Sequence, residues 1–100
     1  MPRAELLNEF ELERLIPTEL LGWHREGKTI VLELGTASFA SAVGIINAIA
    51  VVAESLDHHP DILLYGWNKL RITCTTHESD GLTMLDIQLA KRIDGLGFRL

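Results

Sequence analysis

A chain of 100 residues is long enough for one domain closing a single hydrophobic core, and its 47% hydrophobic residues suit that reading. Fourteen acidic residues against 9 basic ones leave a formal net charge of -5, so nothing draws this surface to phosphate backbones or anionic lipid, which argues against nucleic acid and membrane as direct partners. The single cysteine, Cys74, rules out an internal disulfide and the paired thiols of zinc ribbons and redox motifs.

From Ala4 to about Ile16 the apolar positions Leu6, Leu7, Phe10, Leu12, Leu15 and Ile16 recur at helical spacing among acidic residues, until Pro17 interrupts the pattern. The N-terminal stretch Met1-Pro2-Arg3-Ala4-Glu5 lacks the basic start and apolar centre of a secretory signal, so a reducing cytoplasm is the expected setting. Leu20 to Trp23 reads as a short strand, Glu26-Gly27-Lys28 as a turn, and Thr29 to Leu34 as a second strand with alternating polarity.

Thr36 or Ser38 can cap the long helix that follows. One of its faces carries Phe39, Val43, Ile46, Ala50 and Ala53, and the other Ala42, Ile45, Ile49 and Val52. That apolar stripe is too wide for one sheet to cover, which leaves two readings: a subunit interface, or cover from the N-terminal helix. The run from Ala37 to Ala53 is broken by Ser38, Ser41, Gly44 and Asn47 and falls short of the ~20 residues of a spanning helix, so it reads as buried in protein.

Ile62 to Tyr65 and Lys69 to Thr76 read as two more strands, with Gly66 allowing a tight bend near Trp67. Ser79-Asp80-Gly81 makes a turn, and a final helix runs from Thr83 to about Ile93. The order α-β-β-α-β-β-α predicts an α+β fold: residues 1–100 as one domain, a four-stranded antiparallel sheet with helices packed on one face.

The chemistry is concentrated in histidines. His58 and His59 follow the long helix, where unsatisfied carbonyls complement basic side chains, and His77 stands at the far end of the last strand. Imidazoles clustered in this way serve acid-base chemistry or metal ligation. Zinc is the weaker alternative, because the adjacent His58 and His59 diverge unless the backbone turns sharply between them. Glu54, four residues before His58, can orient a ring. Asp86 sits three residues after Thr83, as in a capping box, and can orient a ligand as well. Trp23 and Trp67 either pack in the core or offer flat faces to a planar ring. Cys74 reads as a small buried hydrophobe, and His24 has no evident partner.

Glu54, His58-His59-Pro60, Trp67, His77 and Asp86 together resemble the motif of the pterin-4a-carbinolamine dehydratases. The resemblance extends over Gly22-Trp23, Ala53-Glu54, Trp67-Asn68-Lys69, Thr76-His77-Glu78, Gly81-Leu82-Thr83, Leu89-Ala90 and Ile93-Asp94. Where many relatives place aromatics before the long helix, this chain has Leu34 and Thr36 and keeps Phe39. The resemblance implies a dehydratase acting on 4a-hydroxytetrahydropterin, with no metal or organic cofactor, assembled as a homodimer or homotetramer. It implies His58, His59 and His77 as catalytic, and Glu54, Pro60, Trp23, Trp67, Thr76, Glu78, Ser79 and Asp86 around the substrate. The alternative, also found among such proteins, is a non-catalytic dimerisation or assembly factor.

Overall fold

The computed structural model describes residues 3–98, so Met1 and Pro2, part of the N-terminal stretch read above, lie outside the described residues. In chain order the elements are α1 (Glu9–Glu19), β1 (Trp23–Glu26), β2 (Thr29–Gly35), α2 (Phe39–Leu56), β3 (Asp61–Tyr65), β4 (Lys69–Cys74), a single 3-10 turn (His77–Ser79) and α3 (Met84–Asp94). The strands form one sheet in the order β1-β2-β4-β3, every neighbouring pair antiparallel. β4 thus lies between β2 and β3, and α2 carries the chain across it. The predicted fold class and element order hold.

Local chemistry places the boundaries. Asn8 starts α1: its side chain accepts from the Glu11 N–H while the Glu11 carboxylate accepts from the Asn8 N–H. The helix therefore begins later than the apolar spacing suggested, and residues 4–8 run extended, with Leu6 bridged to Thr83. It also runs through Pro17 to Glu19. Proline in a last turn removes one backbone bond, and here the turn is closed by the Leu20 N–H to Ile16 O and the Thr18 hydroxyl to Arg14 O. The first strand is Trp23–Glu26 rather than Leu20–Trp23, because Leu20 caps α1 and Gly22, at φ 91°, turns the chain. β4 ends at Cys74, two residues early, since Thr76 instead pairs with Gly81 across the 3-10 turn.

The core lies between the sheet and its helices. Leu12, Leu15, Leu20, Trp23, Ile30, Leu32, Ile49, Ile72, Cys74, Ile87, Leu89 and Ile93 are all buried there. The opposite sheet face is polar: Arg71 reaches Glu26 and Glu33, and His24 reaches Glu26 at 2.7 Å, the partner that the sequence did not disclose. Ser38, not Thr36, caps α2.

α2 turns Ala42, Ile49, Val52 and Ala53 to the core, while Phe39, Val43 and Val51 are exposed. Cover from the N-terminal helix is not what the fold provides, because α1 lies against β1 and α3 is the helix beside α2. By length and composition alone α2, 18 residues with mean hydropathy 1.8, could cross a membrane, but one side of it is built into the sheet's core.

Candidate active site

The site grows from the C-terminus of α2. Asp57 takes the left-handed conformation (φ 50°, ψ 41°), its N–H bonding back to Ala53 O and Glu54 O, and His58 N–H also closes on Ala53 O at 3.1 Å. This wrap turns successive side chains apart. His58 goes inward and is 8% exposed, whereas His59 stays on the surface.

Each ring is held by an acid. His58 Nε2 donates to Asp86 Oδ1 at 2.7 Å, and Asp86 is fully buried. The other oxygen, Oδ2, accepts from the Thr76 hydroxyl at 2.8 Å and from the Thr83 N–H at 3.0 Å. Asp86 is therefore both the capping acid of α3 and the group that orients His58. His59 Nε2 donates to Glu54 Oε2 at 2.6 Å, one helical turn back along α2.

These side chains meet His77 in a cleft of about 470 Å³ lined by His58, His59, His77, Thr75, Thr76 and Glu78, with Asp57, Leu85, Arg3 and Ala4 completing it. Pockets for small molecules span roughly 300–1,000 Å³, so a bicyclic ring fits. His77 is exposed, and its ring has no hydrogen-bond partner among the described residues. Thr76 is 1% exposed, so its side chain serves the Asp86 network, while Ser79 donates to Ala4 O at 2.6 Å.

Not every expected residue comes to the cleft. Trp23 is 5% exposed in the core, its indole N–H on Asp94 Oδ1 at 3.0 Å, so it is not a substrate platform. Trp67 is exposed in the β3–β4 turn, the whole length of β3 away from Pro60, and does not line the cleft in this chain. Pro60, Glu54, Ser79 and Asp86 are not among the residues that line it. Conversely, Arg3, Ala4, Asp57, Thr75 and Leu85 line it without having been singled out. Leu85 shares the four-residue spacing of Leu89 and Ile93, which does not by itself point to a cleft; Thr75 is reached by simple continuation of β4. No three His, Cys, Asp or Glu side chains among the described residues come together as a metal set. Cys74 is fully buried, and burial raises its thiol far above the usual range, with the charges of Asp86 and Asp61 adding to that, so it is no nucleophile.

The α+β sheet with its helices is an architecture that known proteins share with this one. The family model for pterin 4 alpha carbinolamine dehydratase matches residues 5–96. A protein of Roseiflexus castenholzii, provisionally named a pterin-4-alpha-carbinolamine dehydratase, is 40% identical over 91 residues, which is 91% of this chain and 96% of that one. One of Sulfurisphaera tokodaii, named in the same provisional way, is 38% identical over 78 residues, 78% of this chain and 83% of its own length. Among solved structures, the transcriptional coactivator/pterin dehydratase of Brucella melitensis superposes with a TM-score of 0.84 at 30% identity, covering 92% of this chain and 98% of that one. A pterin dehydratase-like protein identified as a RuBisCO assembly factor of the alpha-carboxysome shares the fold at a TM-score of 0.64 and 24% identity, over 77% and 90% of the two chains. The chain belongs to the pterin 4 alpha carbinolamine dehydratase family.

Proposed function

We propose that this protein dehydrates 4a-hydroxytetrahydropterin to quinonoid dihydropterin by general acid-base catalysis with His58, His59 and His77. The observation that carries this reading is the cleft itself, where three imidazoles converge and two of them are each held by a carboxylate. In the reaction the C4a–O bond breaks as the hydroxyl takes up a proton and leaves as water. The electron pair of the N5–H bond forms the C4a=N5 double bond, and the N5 proton passes to a base. No oxidation state changes overall, so no redox cofactor is called for.

The division of labour follows from which ring nitrogens are committed. With Nε2 of His58 bound to Asp86 and Nε2 of His59 bound to Glu54, both exchange protons through Nδ1. One of them protonates the leaving hydroxyl, and His77, on the facing wall, takes or steers the N5 proton. A positioned acid or base contributes roughly 10²–10⁴-fold each. In an assay that generates the carbinolamine in situ, His59→Ala and His77→Ala should each lower the catalysed rate by about 10²-fold. Wild-type rates in both variants would overturn the proposal.

The uncovered apolar face of α2 supports self-association as a homodimer or homotetramer, and the lone free cysteine, Cys74, fits a reducing cytoplasm. The same face favours a second reading, a non-catalytic dimerisation or assembly factor. Purified protein without any dehydration above the uncatalysed rate would decide for it.

A further inference from the structure

We propose that the N-terminal segment 3–7 is part of the active site, a clasp that holds the turn carrying His77, with Arg3 as a positioning residue. The inference rests on His77 working in the cleft, as the dehydratase reading has it.

The turn is anchored unequally. Its start is fixed in the interior, where the buried Thr76 bonds Thr83 Oγ1 and Asp86 Oδ2, both at 2.8 Å. Its end is tied by the Asp80–Lys28 ion pair at 2.7 Å. Between them, the backbone at Glu78 and Ser79 is held from outside the turn by the N-terminal segment: an Arg3 guanidinium N–H donates to Glu78 O at 3.0 Å, and the Ser79 hydroxyl donates to Ala4 O at 2.6 Å. The segment is itself pinned by Leu7 N–H to Leu82 O at 2.9 Å and the Leu6–Thr83 bridge. It lies so close that a Cβ on Gly81 would come within 2.9 Å of a Leu6 methyl, which would have to shift. Arg3 and Ala4 then form part of the cleft wall beside His77 and Glu78.

His77 is the imidazole of the three that no carboxylate holds among the described residues, so the backbone of its turn sets where its ring stands. Two bonds from a segment 75 residues away in sequence therefore steady the turn that carries His77, where Asp86 and Glu54 bind the rings of His58 and His59 directly.

The test is the full chain carrying Arg3→Met, Arg3→Lys or Ser79→Ala, read by NMR of the His77 ring and by dehydration kinetics. Arg3→Met should move the His77 ring resonances and lower kcat about fivefold or more, as expected when a catalytic group is misplaced, with KM within twofold. Arg3→Lys, which restores a donor, should return both readouts towards wild type, and Ser79→Ala should move the same resonances. Unmoved His77 resonances in Arg3→Met and Ser79→Ala overturn the proposal. So does a KM rise in Arg3→Met and Arg3→Lys alike with those resonances unmoved, since Arg3 would then touch substrate directly. If the wild type proves inactive, the dehydratase reading fails by itself, and the resonances still decide whether the clasp exists.

Discussion

At the scale of single residues, the most constrained group is Asp86, whose two oxygens accept from His58, Thr76 and the Thr83 backbone. In Asp86→Asn the asparagine has the same shape, and with its oxygen kept on Thr76 and the Thr83 N–H its NH2 faces His58 Nε2, which can accept it only as the Nδ1–H tautomer. The opposite flip would set the NH2 against the Thr83 N–H, which cannot turn away. The variant should lose about 1–3 kcal/mol of stability, since hydrogen bonds to a charged carboxylate become neutral ones, read as a lowered urea midpoint. Its dehydration rate should fall too, because His58 is then held in the other tautomer with no carboxylate beside it. A variant as stable and as active as wild type would mean that Asp86 neither caps α3 nor orients the ring. Core side chains obey a simpler rule. Ile49 is fully buried, and Ile49→Ala should cost about 2–5 kcal/mol in the same titration.

At the scale of elements, caps and strand pairings explain why the boundaries fall where they do. Asn8→Ala removes the side-chain half of the α1 capping box and should lower stability by about 1 kcal/mol in chemical denaturation. The polar sheet face gives a pH dependence. Hydrogen bonds from His24 and Arg71 hold the Glu26 carboxyl below its ordinary value of 4.5, and Lys28 likewise lowers Asp80. A carboxyl with a depressed folded pKa adds stability above its unfolded pKa and loses it as pH falls through the folded one. Both groups are fully exposed and screened by solvent, so the effect is small. Thermal unfolding should nonetheless fall less steeply between about pH 5 and pH 3 in Glu26→Gln than in wild type; parallel curves would show the pairings to be inert.

At the scale of the whole molecule, the unresolved demand is the outward face of α2. Val51 is 71% exposed and Phe39 57%, on a helix whose inner side is already occupied by the sheet. Leaving such side chains in water forfeits roughly 1.5–3 kcal/mol each relative to burial. Self-association through this face predicts that Val51→Arg shifts the light-scattering mass towards the monomer without changing the far-ultraviolet circular dichroism. A wild-type mass that is already monomeric would remove this explanation for the exposed stripe.

Much of this molecule is legible in its residues because the relevant interactions are local. Period-two runs in β2 and β4, the helical spacing of α2 and α3, and the Thr83–Asp86 cap each act over a few positions, so fold class and element order follow from them. The histidine motif was legible through its resemblance to the family to which the chain belongs. Local pattern misled where a cap or a glycine outweighed it: Asn8 delayed α1, and Gly22 moved the start of the first strand from Leu20 to Trp23. Tertiary structure alone decided that His58 pairs with Asp86, 28 residues on, that Trp23 spends its indole on Asp94, and that Arg3 reaches Glu78 across 75 positions. Periodicity says which face of an element is buried, but not which other element buries it. That choice is made when the β2–α2–β3 crossover folds over β4 and brings the N-terminal segment, the end of α2 and the turn after β4 to one cleft.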